Sequence, residues 1–109
     1  MIFGPIKMKD LNFINIAKEV IQIEYNSLKK LQSSIGNSFE KLINTILSCK
    51  NGKIIVSGVG KSGIIGKKWA ATFSSTGTPS FFLEASNASH GDMGQITSND
   101  VVILISLSG

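Results

Sequence analysis

Apolar residues recur at helical spacing through the first third of the chain. Ile14, Ala17, Ile21, Leu28, Leu31 and Ile35 follow one another at steps of three and four, interrupted at Glu24, which puts them on one face of a helix. Val20 and Ile23 widen that stripe. The width suits a helix with more than one neighbour, a second subunit included, although a stripe that covers only its own domain would look the same. Asn37 followed by Glu40 reads as a capping box opening a second helix, whose apolar face is Phe39, Leu42, Ile43, Ile46 and Leu47. Asn51-Gly52 ends it in a turn.

From Lys53 the period changes. Ile54-Ile55-Val56 is apolar at consecutive, β-branched positions, as in a strand buried on both faces. After the loop Gly58 to Gly63, the residues Ile64, Ile65, Ala70, Ala71 and Phe73 mark a helix ending near Thr76-Gly77. Ser80 to Leu83 is a second short strand, and Val101 to Ile105 a third. Strand, helix, strand, connector, strand predicts an α/β fold: a doubly wound parallel sheet of flavodoxin-like order 2-1-3 with two helices before it. Residues 1–36 form a helical lead-in and 37–109 the sheet-bearing domain. Gly109 stands where a helix covering the third strand is expected, so the pattern reads as the N-terminal part of a longer domain.

One modest domain is all that 109 residues can build. The longest unbroken aliphatic run, Val101 to Ile105, is far below the ~20 residues that span a bilayer. Lys7, Lys9 and Asp10 interrupt the first ten residues, so no signal peptide is expected, and Met8 is a candidate alternative start. A cytoplasmic protein with no membrane partner is the expectation. Cys49 is the single cysteine and sits in an apolar helical stretch, which favours a buried structural role over a nucleophile. The formal charge is +4, yet all the basic residues are lysines, scattered along the chain. Without arginine forks or a basic stripe, no nucleic-acid partner is expected.

Three chemistries compete for Gly58-Val59-Gly60-Lys61-Ser62-Gly63. A P-loop needs glycine five residues before Gly60, and Ile55 is there, inside the strand. A dinucleotide fold fits the glycine spacing, with Glu84 closing the second strand where a ribose-binding acid would stand. A phosphosugar site uses the loop and the helix N-terminus as an anion cradle, with Lys61 adding a full charge. Ser106-Leu107-Ser108-Gly109 favours the third, because two hydroxyls spaced by one residue would flank the same switch-point crevice. His90, set among Ser89, Gly91 and Asp92, is a candidate active-site group as well as an ordinary hydrogen-bonded histidine.

Val56 to Gly63, Thr72 to Phe82, Ala88-Ser89-His90-Gly91-Asp92-Met93-Gly94 and Asp100 to Gly109 resemble the sugar isomerase (SIS) domain of D-arabinose-5-phosphate isomerases. The likeness runs from about Ala17 to the last residue. It implies reversible conversion of D-ribulose 5-phosphate to D-arabinose 5-phosphate, which leads to the Kdo sugar of lipopolysaccharide. By the same resemblance Lys61 matches the active-site lysine. Gly60, Ser62, Gly77, Thr78, Glu84, His90, Ser106 and Ser108 would contact the sugar phosphate. Glu84 replaces a histidine that can hold zinc in close members, so no metal site and no cofactor are implied. The family's further catalytic carboxylates, second histidine, remaining strands and paired CBS domains lie past the position matching Gly109. The 109 residues alone are therefore expected to be inactive, with a homo-oligomer or a separately encoded remainder as partner. A non-catalytic sugar-phosphate-binding SIS module of a regulator is the alternative, and a dinucleotide-binding fragment a more distant one.

Overall fold

A computed structural model of the protein describes residues 8–108. Among them a 3-10 turn (Met8–Asp10) precedes α1 (Phe13–Ser34) and α2 (Asn37–Leu47). The alternation then runs β1 (Ile54–Gly58), α3 (Gly60–Ser75), β2 (Ser80–Phe82), a short α4 (Ala85–Ala88), a 3-10 turn (Asp92–Gln95) and β3 (Val101–Ile105). The predicted α/β class and order are found: β1 is central and parallel to both neighbours, giving the order β2-β1-β3. No helix among the described residues is long and apolar enough to cross a membrane.

The chain divides into two units, Met1–Phe39 and Glu40–Gly109. In the first, Asn12 caps α1 by accepting from the Asn15 N–H at 3.0 Å. The helix then runs unbroken through Glu24, where the apolar pattern lapses. None of its residues is buried: Ile14, Val20, Ile21, Ile23, Leu28 and Leu31 are all more than half exposed. The expected capping box at Asn37 does not form, since Asn37 is already the first residue of α2. Gly36 instead accepts from the Phe39 N–H at 3.0 Å.

The second unit has its core where consecutive β-branched residues demanded it. Ile54, Ile55 and Val56 have no exposed surface, and each such burial is worth roughly 1.5–3 kcal/mol. Ile54 and Val56 face α3 and join Ala70, with Phe73, Phe82, Val101, Ile103, Ile105, Ile46 and Cys49 packed around them. Cys49 is half-buried rather than fully buried as expected, packed beside this core with its Sγ 3.4 Å from the Asn99 carbonyl.

Of the apolar residues that mark α3 in the sequence, Ala70 and Phe73 pack into the core and Ile64 and Ile65 do not. Ile64 and Ile65 are 68% and 61% exposed, and Gly63, Gly66 and Ala70 are the buried positions. Space is the reason: a Cβ on Gly63 would stand 2.7 Å from the Gly58 carbonyl oxygen, and one on Gly66 3.0 Å from the Phe82 ring and 3.2 Å from Val56. The helix lies too close to β1 for a branched side chain to fit between them.

β1 and β3 are also tied together where they begin. Asp100 accepts from the Lys53 N–H at 2.8 Å, from Lys53 Nζ at 3.1 Å and from the Thr97 N–H at 2.7 Å. The Thr97 N–H, followed by the Lys53 groups, lowers the Asp100 pKa from 3.8 to about 2, against the opposing effect of burial. On the other face of the sheet the Ser57 hydroxyl donates to the Leu83 carbonyl at 2.7 Å. Beside it Val102 and Leu104 line an apolar hollow of about 410 Å³, rimmed by Ala88, Met93 and Ile96 from the connector.

Gly66→Val is expected to destabilise the protein by about 1–3 kcal/mol through overpacking. Ile65→Ala, on the exposed side of the same helix, should shift it by less than about 0.5 kcal/mol. Chemical denaturation of the two variants checks the contrast. The Asp100 carboxylate favours the fold fully above its unfolded value of 3.8, and that contribution is lost as pH falls through about 2. Asp100→Asn should therefore lower stability at neutral pH and flatten the acid limb of the unfolding profile between those two values, followed by circular dichroism.

Candidate functional site

In a parallel sheet the ends of the strands collect the loops that can hold a ligand. β1 ends at Gly58, Val59 is extended, and α3 begins at Gly60 with φ +59°. That left-handed conformation turns the chain from strand to helix in one residue, and it suits glycine alone at low cost. Val59 makes no side-chain cap. The first intrahelical bond runs from the Gly63 N–H to the Val59 carbonyl at 3.2 Å. The N–H groups of Gly60, Lys61 and Ser62 are therefore left without intrahelical partners, at the positive end of a 16-residue helix. Lys61 is exposed in this first turn. A cation there opposes the helix dipole, so the position does nothing for helix stability and adds to the attraction for an anion.

β3 brings its own hydroxyls alongside. Its five residues pair in register with β1, from Ile54 with Val101 to Gly58 with Ile105. Ser106, Leu107 and Ser108 consequently leave the sheet beside the glycine loop. Between them is a crevice of about 330 Å³, lined by Ser57, Gly58, Val59 and Ser62 on one side and by Leu104 to Ser108 on the other. This joins the loop after β1 to the loop after β3, as the order 2-1-3 predicted. Gly109 lies outside the described residues.

The other sequence-predicted residues are distributed differently. Gly60 and Glu84 line a second, smaller hollow of about 190 Å³ on the β2 side of the glycine loop, together with Gly63, Ile64, Lys67, Phe82 and Ser86. Glu84 Oε1 lies 2.9 Å from Lys67 Nζ. His90 is exposed, its N–H bonded to the Asn87 carbonyl at 3.0 Å, and it lines neither hollow. Gly77 and Thr78 stand at the opposite end of the sheet. They follow α3 and lead into β2, whose first residue Ser80 pairs with Ile54 at the start of β1. There the Thr78 N–H donates to the Phe73 carbonyl at 2.8 Å. Within one chain these two residues do not share the crevice with Ser62, Ser106 and Ser108, and Lys61, exposed in the first turn of α3, lines neither hollow.

Sequence reasoning missed Lys67. Its signal was the helical period itself, since positions 60, 63, 64 and 67 fall on one face of α3. Among the described residues no group of three or more His, Cys, Asp or Glu gathers into a set that could hold a metal ion.

A model of the SIS domain matches residues 46–109. Arabinose 5-phosphate isomerase KdsD of Francisella tularensis is 53% identical over 98 residues, covering 88% of this chain and 30% of that protein. The protein of the same name in Pseudomonas aeruginosa is 48% identical over 101 residues, covering 93% and 31%. The chain thus spans about 30% of the length of these relatives. Among solved structures, an E. coli CFT073 protein in complex with A5P superposes with a TM-score of 0.71 at 45% identity, over 88% of this chain and 52% of that one.

Gly60→Ala is expected to lower stability by about 1–2 kcal/mol through backbone strain alone, since a Cβ there meets nothing within 4 Å. Denaturant titration against Gly94→Ala, whose Cβ would be equally unobstructed and whose φ is not positive, checks that the cost comes from φ.

Proposed function

The chain belongs to the SIS domain family, and from that premise we propose that it binds a pentose 5-phosphate as the N-terminal part of an aldose–ketose isomerase interconverting D-ribulose 5-phosphate and D-arabinose 5-phosphate. One observation carries this reading. Ser62, in the uncapped first turn of α3, and the serines after β3 line a single crevice, which suits a phosphate better than any neutral group. The relatives' names and the A5P-bound neighbour support the pentose.

In this reading the phosphate oxygens take the N–H groups of Gly60, Lys61 and Ser62 and the hydroxyls of Ser62, Ser106 and Ser108. Isomerisation moves a proton between C1 and C2. A base removes it from the hydroxyl-bearing carbon, and the electrons pass to the neighbouring carbonyl oxygen, which takes up a proton to give the enediol. The other hydroxyl then loses its proton, its oxygen becomes the new carbonyl, and the base returns a proton to the former carbonyl carbon. The Lys61 ammonium is suited to stabilise the oxyanion that develops. His90 and Glu84 contact sugar hydroxyls. Gly77 and Thr78, at the far end of the sheet, would reach substrate only in a neighbouring subunit of a homo-oligomer.

General acid–base groups supply about 10² to 10⁴ of such a reaction's rate. No carboxylate lines the crevice among the described residues, so binding without turnover is expected of these residues by themselves.

Calorimetric titration of the purified chain should show arabinose 5-phosphate binding that inorganic phosphate competes away. Lys61→Ala should weaken it by about tenfold or more, the loss of one hydrogen-bonded charge. Absence of binding would sink the phosphosugar reading. Arabinose 5-phosphate formation abolished by Lys61→Ala would sink the expected inactivity.

A further inference from the structure

The hollow on the β2 side of the glycine loop has a chemistry unlike that of the phosphate crevice. One wall is α3, through Gly60, Gly63, Ile64 and Lys67, and the other is the end of β2, through Phe82 and Glu84. The two hollows share Gly58, Val59 and Ala85, so they meet over the end of β1. At about 190 Å³ it is below the roughly 300 Å³ at which sites for whole small molecules begin. It has room for a fragment of a ligand whose remainder lies elsewhere.

Its polar groups are one carboxylate and one ammonium. Lys67 Nζ sits 2.9 Å from Glu84 Oε1 and 5.4 Å from the centre of the Phe82 ring. Both side chains are about half exposed, at 58% and 46%. A pair in that setting contributes little to stability, about 0–1 kcal/mol, while the glycine packing already holds α3 to the sheet. An ammonium has three donors and a carboxylate about four acceptor sites. Their ion pair leaves donor capacity on the ammonium and acceptor capacity on the carboxylate for a ligand. The pair therefore presents a donor and an acceptor side by side, beside the apolar surfaces of Phe82 and Ile64.

We propose that this hollow is a second subsite, in which Glu84 accepts from one hydroxyl of a vicinal diol and Lys67 donates to the next, so that the pair selects the configuration of the sugar whose phosphate lies in the neighbouring crevice. The proposal rests on the phosphosugar reading and adds the part of the ligand that the crevice leaves unread. A second phosphate is disfavoured here by the Glu84 carboxylate. A purely apolar group would have to desolvate the ion pair with nothing in return. A hydroxyl both donates and accepts, so two adjacent ones satisfy both members of the pair, and only when their relative configuration lets both reach.

The test is calorimetric titration of the 109-residue chain and its Glu84→Gln and Lys67→Gln variants with inorganic phosphate, arabinose 5-phosphate and ribose 5-phosphate, which differ at one hydroxyl. Both variants should keep phosphate affinity within about twofold, weaken the preferred pentose phosphate by about tenfold or more, and lose most of the discrimination between the epimers. The charge-swapped double variant K67E/E84K preserves an ion pair and should match the wild-type thermal midpoint without regaining the sugar preference. Variants that bind both pentose phosphates like the wild type, lose phosphate in the same proportion, or are rescued by the swap would each overturn the subsite and leave the phosphosugar reading in place. A wild-type chain that binds no pentose phosphate removes that reading and the subsite with it.

Discussion

The distance between α3 and β1 governs the rest of the second unit. Gly63 and Gly66 let the helix lie so near the strand that a single added carbon would press on the Gly58 carbonyl, Phe82 or Val56. A helix held farther off, on a layer of branched side chains, would start away from the strand end, and its first-turn N–H groups would open onto solvent. Close packing instead delivers them beside the last residue of β1. The position of the candidate anion cradle thus follows from core packing, with Gly63 and Gly66 deciding where the helix starts.

This is also where the sequence was hardest to read. The strand Val101 to Ile105 and the β2-β1-β3 order followed from consecutive β-branched residues and from strand–helix alternation, signals that survive without knowing the neighbours. The closest contact of α3 did not. Ile64 and Ile65 stay exposed, while Gly63 and Gly66 make the nearest approach to β1 and Ala70 and Phe73 pack into the core. Asn37 and Glu40 carry the letters of a capping box, but the helix had already begun at Asn37. A motif read from residue types cannot fix a boundary to the residue.

The candidate site shows the same division. Ser62, Ser106 and Ser108 were placed together by topology alone, since the ends of β1 and β3 must be neighbours in a sheet of that order. Gly77 and Thr78 were assigned by likeness to a family, which says nothing of the end of the sheet at which a residue stands. Lys67 went unnoticed because a lysine on an exposed helix face is ordinary. Only its proximity to Glu84, which follows β2, distinguishes it from Lys68 beside it.

The Asp100 tie and the five-residue pairing of β1 with β3 act together as a measuring rod. The tie fixes both strands at their start, and equal lengths bring Gly58 level with Ile105. One residue inserted into or deleted from either strand would slide its end by about 3.3 Å and reverse the face of every side chain beyond the change. The serines would then be out of reach of the glycine loop. Length variation in this chain is therefore confined to its connectors, and the spacings from Lys53 to Gly58 and from Asp100 to Ser106 are as much a part of the site as the residues that line it.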